Sequence, residues 1–348
     1  MYRILFPLFG CLFGLLTLEG ILAAGGFAPE VVYIEKWRMR LSPNAKIGFE
    51  PIPHLDSTNK SVQFYGYSGA SNSLGFRDKE RSIERPDGVV RRILALGDST
   101  TAGLWIENDA DVYPAQLEKL YADERRAIEV LNFGVNGYNT SQEVEMLREK
   151  GLQYKPDLIV LGYCLNDRFQ DDGGIYGFLI EEAKKSKSPN IADAGISSNL
   201  NAGYARLFSE SALYRVLRFQ VLPQFQKQLP DSTKRDPQKF WTDSVEDSFR
   251  ALRVLSESNR FQVLVAILPE LLPIDFNNLE YRAFSEHKKI SQLSQELGFY
   301  VIDLLEPLKK CKLENPNELI AFDRYHARPY GNQCIAKAIK SYIDSQIW

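Results

Sequence analysis

Short apolar runs alternate with amphipathic stretches through much of this 348-residue chain. Ile93–Leu96, Ile128–Leu131, Leu158–Tyr163, Gln262–Leu268 and Phe299–Asp303 are almost continuous apolar runs, the pattern of strands buried on both faces. Between them, helical spacing covers about 114–122, 141–149, 244–256 and 281–297. Strands alternating with helices of this length predict a parallel sheet with right-handed crossovers. The rhythm breaks between about Arg168 and Asp243, where Asp171-Asp172-Gly173-Gly174 and Ser186–Asn201 read as loops. Leu213, Leu217 and Val221, four apart, predict a helix there. This region, about 168–243, reads as an insertion that forms a cap or side lobe where substrate choice would be made.

From Ile4 to Phe27 the chain is almost wholly apolar, with Glu19 its one charge and Arg3 ahead of it. About 20 such residues suffice to span a bilayer, and apolarity all round rather than along one stripe argues against a buried soluble helix. A retained transmembrane anchor over residues 1–27 is therefore expected, with two rivals. One is a signal peptide cleaved near Ala23-Ala24-Gly25; the other is a lipoprotein site at Leu8-Phe9-Gly10-Cys11. Arg3 before the span and Lys36, Arg38 and Arg40 after it nearly balance, so charge leaves the orientation open. So short a leading tail behaves like a signal, which places the bulk of the chain outside the cytoplasm, on the periplasmic or extracellular side, anchored or secreted. Residues 28–90 read as an irregular extension rich in Pro, Ser, Asn and Gly. Within it, Asn72-Ser73-Leu74-Gly75-Phe76-Arg77 reads as a turn that buries two side chains and ends in a charge.

Composition removes several functional classes. A net charge of −3 leaves no basic footprint for nucleic acid. No Gly-x-Gly-x-x-Gly or P-loop follows a strand, which excludes the usual nucleotide sites. Four scattered cysteines suggest no disulfide framework, and no C-x-x-C metal spacing occurs. No metal or other cofactor is expected. Of only three histidines, His54 follows a proline in the irregular segment and reads as a surface or packing residue. His287, among Glu286, Lys288 and Lys289, reads as part of a solvated helix face. Histidine chemistry then falls to His326.

The carboxyl ends of successive strands carry the reactive types. The first apolar run ends in Gly97-Asp98-Ser99, the second in Asn132-x-Gly134-x-x-Gly137 and the third in Cys164-x-Asn166-Asp167. Parallel strands put these ends on one edge of the sheet, where open α/β folds bind ligands. Ser99 would stand at the amino end of a helix, where unpaired N–H groups favour a developing oxyanion. Gly137 offers an unobstructed backbone N–H and Asn166 a side-chain amide. Taken singly, Gly137 reads better as a turn glycine and Asn166-Asp167 as a helix cap; their joint occurrence after consecutive strands shifts the weight towards function. Near the carboxyl end, Asp323 precedes His326 by three, so its carboxylate can fold back on the imidazole and orient it toward a serine proton.

In this order, Gly97-Asp98-Ser99-x-x-x-Gly103, Gly137, Asn166-Asp167 and Asp323-x-x-His326 resemble the four sequence blocks of the SGNH (GDSL-type) hydrolases. The resemblance covers about residues 91–345 apart from the insertion. It implies a flavodoxin-like three-layer α/β/α sandwich over 91–348 and activity on ester bonds without a metal. Ser99 would be the nucleophile, His326 the base and Asp323 its orienting partner. The Ser99 and Gly137 N–H groups and the Asn166 side chain would form the oxyanion hole. The leading segment and Asn72-x-x-Gly75-Phe76-Arg77 resemble a membrane-anchored bacterial branch. Two positions depart from the pattern: Cys164 stands where glycine is usual and Thr100 where leucine is. The expected function is hydrolysis of O-acyl esters, O-acetyl or another short acyl group, through an acyl-serine, on a small-molecule, lipid or glycan substrate. The rival readings are an O-acyltransferase acting on an extracytoplasmic glycan and a non-catalytic carbohydrate-binding protein.

Overall fold

In the computed structural model, which describes residues 2–25, 39–42, 44, 46–55, 70–167, 211–217, 237–271, 281 and 283–348, the leading segment forms helix α1 (Tyr2–Ala24). Leu12, Phe13, Leu15, Leu16, Leu18 and Ile21 stand exposed on it. Among the described residues no helix is long and apolar enough to cross a membrane, so the expected transmembrane anchor and the membrane-anchored branch are not supported. Glu19, the one charge of the apolar run, is held by polar partners within the first unit. Its carboxylate accepts the Ser211 hydroxyl and the N–H groups of Ala212 and Leu213, at the start of a short helix over Ala212–Val216. A carboxylate there complements the helix dipole.

The chain divides into two compact units, Met1–Lys36 with Phe178–Arg235, and Trp37–Gly177 with Asp236–Trp348. Most of the expected insertion, Val221 included, lies outside the described residues. The second unit carries the sheet. It opens with an antiparallel pair, β1 (Met39–Leu41) and β2 (Phe49–Pro51). The main sheet then takes β3 (Arg91–Gly97), β4 (Ile128–Gly134), β5 (Leu158–Cys164), β6 (Gln262–Leu268) and β7 (Tyr300–Asp303). All its pairings are parallel, in the order β4-β3-β5-β6-β7. Counted along the sheet this is 2-1-3-4-5, a doubly wound order whose switch point lies at the ends of its first and third strands. β4 runs three residues past its expected end because its ladder to β3 continues through Leu96–Phe133 and Gly97–Gly134.

Among the described residues the other α-helices are α2 (Ser99–Ala102), α3 (Tyr113–Asp123), α4 (Thr140–Met146), α5 (Ala212–Val216, in the first unit), α6 (Pro237–Asn259), α7 (Phe284–Glu296), α8 (Leu305–Glu314) and α9 (Pro329–Gln346). One sheet face, with Ile93, Ala95, Val130, Val160 and Leu264, packs against Leu117 and Tyr121 of α3, Leu308 of α8, and Ile335 and Ile339 of α9. The alternate residues Leu94, Leu96, Leu131, Leu161 and Val265 are buried as well, and Phe249 of α6 meets Tyr163 on that side. Burial on both faces is why the strands read as continuous apolar runs; each buried Leu or Ile contributes roughly 1.5–3 kcal/mol.

One expectation needs correction. His287 is buried, 2% exposed, not solvated. It shares the inward face of α7 with Ile290 and Ser294 at helical spacing, and its ring nitrogens reach Tyr281 Oη at 2.8 Å and Asp303 Oδ2 at 2.7 Å. The sequence left open whether any disulfide forms; the structure pairs Cys311 with Cys334, because α8 and α9 pack side by side. In the segment ahead of β3, a Cβ on Gly75 (φ +94°) would lie 2.4 Å from the Pro51 carbonyl oxygen, so only glycine fits. Phe76 then buries against Phe133, Leu74 is half-buried, and Arg77 is buried too.

Candidate active site

The register sets Gly134, Gly97 and Gly162 side by side across β4, β3 and β5. A methyl on Gly97 would stand 2.0 Å from Thr101 Oγ1, one on Gly134 2.2 Å from the Ala102 nitrogen, and one on Gly162 2.7 Å from Thr101 Oγ1. This floor without side chains lets α2 settle directly on the sheet. Asp98 caps α2, its Oδ1 accepting the Thr100 N–H at 2.8 Å. Ser99, the first residue of α2, thus stands at the carboxyl end of β3 and is 8% exposed.

The partners of Ser99 come from the far end of the chain. In the loop before α9, Asp323 Oδ1 accepts the Tyr325 and His326 N–H groups, both at 2.8 Å, which folds the loop onto its own carboxylate. Asp323 Oδ2 lies 2.7 Å from His326 Nδ1, and His326 Nε2 lies 2.9 Å from Ser99 Oγ. An ionised carboxylate only accepts, so the ring proton sits on Nδ1 and Nε2 faces the hydroxyl as an acceptor. Burial alone would raise the Asp323 pKa, but the hydrogen bonds and charge of His326 and the Tyr325 N–H outweigh it, lowering it to about 2.

Asn166 donates its amide to Asp98 Oδ2 at 3.0 Å. Gly137 stands in an exposed turn past the end of β4, with φ +77°, and enters none of these hydrogen bonds. The fold thus brings Ser99, His326 and Asp323 into one file and ties Asn166 to it through Asp98. Gly137 shares only the sheet edge. Among the described residues no group of three or more His, Cys, Asp or Glu side chains is placed to hold a metal ion.

Residues 95–334 match the GDSL-like lipase/acylhydrolase family. The chain belongs to this family. It is a hydrolase acting on ester bonds. No curated protein matches the sequence. Similar solved structures include an acetyl xylan esterase, 16% identical with a TM-score of 0.43, over 72% of this chain and 99% of that one. A catalytic mutant of an acetylxylan esterase from Geobacillus stearothermophilus is 15% identical, TM-score 0.45, over 74% and 95%. A GDSL-like lipase from Bacteroides thetaiotaomicron is 12% identical, TM-score 0.39, over 76% and 93%.

Near Asp98, this acylhydrolase buries two more carboxyl groups, Asp167 of the third strand-end motif and Glu143, which the sequence reading left out. Glu143 is 1% exposed and Asp167 2% exposed. Burial first, and then the nearby Asp98 charge, pushes the Glu143 carboxyl well above its ordinary range. Burial followed by the charges of Glu143 and Asp98 does the same to Asp167. The Asp167 carboxylate accepts the Thr140 hydroxyl and the Cys164 N–H, each at 3.3 Å. The two departures from the family pattern meet here: the Thr100 hydroxyl lies 3.9 Å from the Cys164 sulfur. Asp98 was readable as a helix cap from its place before Ser-Thr-Thr-Ala; Glu143, on an ordinary helical stretch, offered no signal.

Proposed function

We propose that this acylhydrolase is a serine esterase that removes short acyl groups, O-acetyl among them, through an acyl-Ser99 intermediate. The observation that carries this reading is the file from Ser99 through His326 to Asp323, with contacts of 2.9 and 2.7 Å. Ser99 Oγ attacks the ester carbonyl carbon while its proton passes to His326 Nε2. The ester C–O bond breaks, and His326 returns the proton to the departing alkoxide. Water then attacks the acyl-serine by the same route and releases the acid. Asp323 holds the imidazole in the productive tautomer and balances the imidazolium. The oxyanion is received by the Ser99 N–H, the Gly137 N–H and the Asn166 amide hydrogen not held by Asp98; losing one such donor costs on the order of 10²–10³ in kcat. Labelling with a fluorophosphonate and hydrolysis of short nitrophenyl esters test the proposal. Ser99→Ala is expected to abolish both, and retention of both rejects it.

We further place this domain outside the cytoplasm, with the apolar leading segment as its export signal. The Cys311–Cys334 disulfide supports this, since such bonds persist in oxidising compartments. Cell fractionation combined with thiol trapping is the check. Recovery in the cytosol with both thiols reduced rejects the placement, whereas the export signal itself is found either retained or cleaved.

A further inference from the structure

Trp105 has φ +70°, a left-handed backbone that a bulky side chain adopts only when its surroundings impose it. The surroundings are explicit. Leu104 and Ile106 on either side are buried. Arg77, itself buried, donates to the carbonyls of Gly103 at 2.6 Å and Ile106 at 2.5 Å, which bracket Trp105, and pairs with Asp109. Charge-assisted bonds of this kind are strong, so the loop is pinned on both sides of one residue. The outcome is that Trp105 stands half-exposed with its ring centroid 6.4 Å from that of His326 and the two planes at 89°. Strain of this kind clusters at functional sites.

We infer that Trp105 recognises the alcohol portion of the ester and selects alcohols that carry a ring with an apolar face, a pyranose or an aryl group. The inference rests on the proposed esterase chemistry. To take the proton from His326 Nε2, the leaving oxygen must lie within hydrogen-bond reach of that nitrogen. The alcohol portion of a bound ester therefore begins beside the imidazole, where the Trp105 ring stands. A large flat apolar surface with few rotatable bonds favours a partner ring over a flexible chain. Arg77 acts one step back, as the positioning residue that holds the loop.

The test compares ethyl acetate, phenyl acetate and an O-acetylated methyl pyranoside as substrates for Trp105→Ala, Trp105→Gly and Trp105→Phe. Glycine is included because it accepts a positive φ without strain, so at least one variant that lacks the ring keeps the loop. The ring-free variants are expected to lose at least tenfold in kcat/KM, mainly through KM, on one or both ring-bearing esters. Ethyl acetate turnover and the rate of fluorophosphonate labelling are expected to fall by much less than turnover of the ring-bearing esters, and Trp105→Phe to recover most of the loss. Loss confined to the pyranoside identifies a sugar, and loss confined to phenyl acetate an aryl alcohol. Equal losses on all three esters, or none on the ring-bearing pair, overturn the inference. Failure of the wild-type protein to label at Ser99 rejects the esterase reading instead, so the two outcomes are separable.

Discussion

The side-chain amide of Asn166 donates to the buried carboxylate of Asp98 at 3.0 Å, across 68 positions of sequence. The other oxygen of the same carboxylate caps the helix that begins with Ser99. One residue therefore aligns the nucleophile and orients an amide proposed for the oxyanion hole.

Asp98→Ala removes both bonds, and Asp98→Asn keeps one acceptor for either. The alanine variant is expected to lose roughly 1–2 kcal/mol of stability, the usual cost of a lost cap. Its kcat on nitrophenyl acetate is expected to fall by about 10²-fold with little change in KM, and the asparagine variant to fall between it and wild type. Wild-type kcat in Asp98→Ala would separate Asp98 from the chemistry.

Gly134→Ala tests the glycine floor. Its methyl would lie 2.2 Å from the Ala102 nitrogen, and backbone cannot swing aside as a side-chain tip can. Forced overpacking costs about 1–3 kcal/mol, and the displacement falls on α2. Urea unfolding and ester turnover are expected to show lower stability together with at least tenfold lower kcat/KM. A destabilised variant with full turnover would mean that the seat of α2 is not what aligns Ser99.

Thr100 and Cys164, the two departures from the family pattern, touch each other and are expected to act as a pair. Cys164→Gly opens a cavity and Thr100→Leu overfills the site, each at about 1–3 kcal/mol. The double variant is expected to recover 0.5 kcal/mol or more of the summed loss, about the lower bound for contacting residues. Strictly additive losses would make the two departures independent. Burial raises the Cys164 thiol well above its ordinary pKa, so it is expected to resist alkylation until the protein unfolds.

Glu143 predicts a slope in stability against pH. Its folded pKa is raised, whereas in the unfolded chain it titrates near about 4.3. Between those values the native state holds a proton that the unfolded state has released. Stability therefore falls as pH rises through that window, by about 1.4 kcal/mol per pH unit for one such proton, and is unaffected below it. Glu143→Gln, neutral at every pH, is expected to flatten this fall in urea titrations between pH 5 and 8 and to be the more stable protein at pH 8. An unchanged slope would mean that Glu143 is ionised in the folded protein.

His287 links Asp303 to Tyr281, whose hydroxyl accepts the Glu270 N–H at 2.9 Å. Glu270 pairs with Arg324, the neighbour of Asp323 in the catalytic loop. His287→Phe removes the middle of this chain, while the partly exposed Asp303 and Tyr281 keep their bonds to the Leu305 and Glu270 N–H groups, at a cost of about 1 kcal/mol. Thermal unfolding is expected to show that loss, and turnover to fall several-fold as the loop loosens. Unchanged unfolding would place the histidine outside the load of the fold.

Much of this was legible along the chain because the signals are local. Periodicity marks strands and helices through neighbours a few residues apart, and Gly97-Asp98-Ser99, Asn166 and Asp323-x-x-His326 advertise reactive types at strand ends and in a loop. The same local rule misread His287, whose charged sequence neighbours Glu286, Lys288 and Lys289 say nothing of its own side of α7. Only packing against β7 decides that side. Likewise Cys311 and Cys334 meet because two helices lie together, and Gly134, Gly97 and Gly162 form a floor because three strands share one register. By itself the sequence determined the order of the elements and the chemistry available at the sheet edge. The tertiary structure decided that Ser99 and His326, 227 positions apart, approach to 2.9 Å, and that Asp98 and Trp105 stand with them. Such distances depend on register, crossover and helix packing summed over the whole domain, which no short window of residues contains.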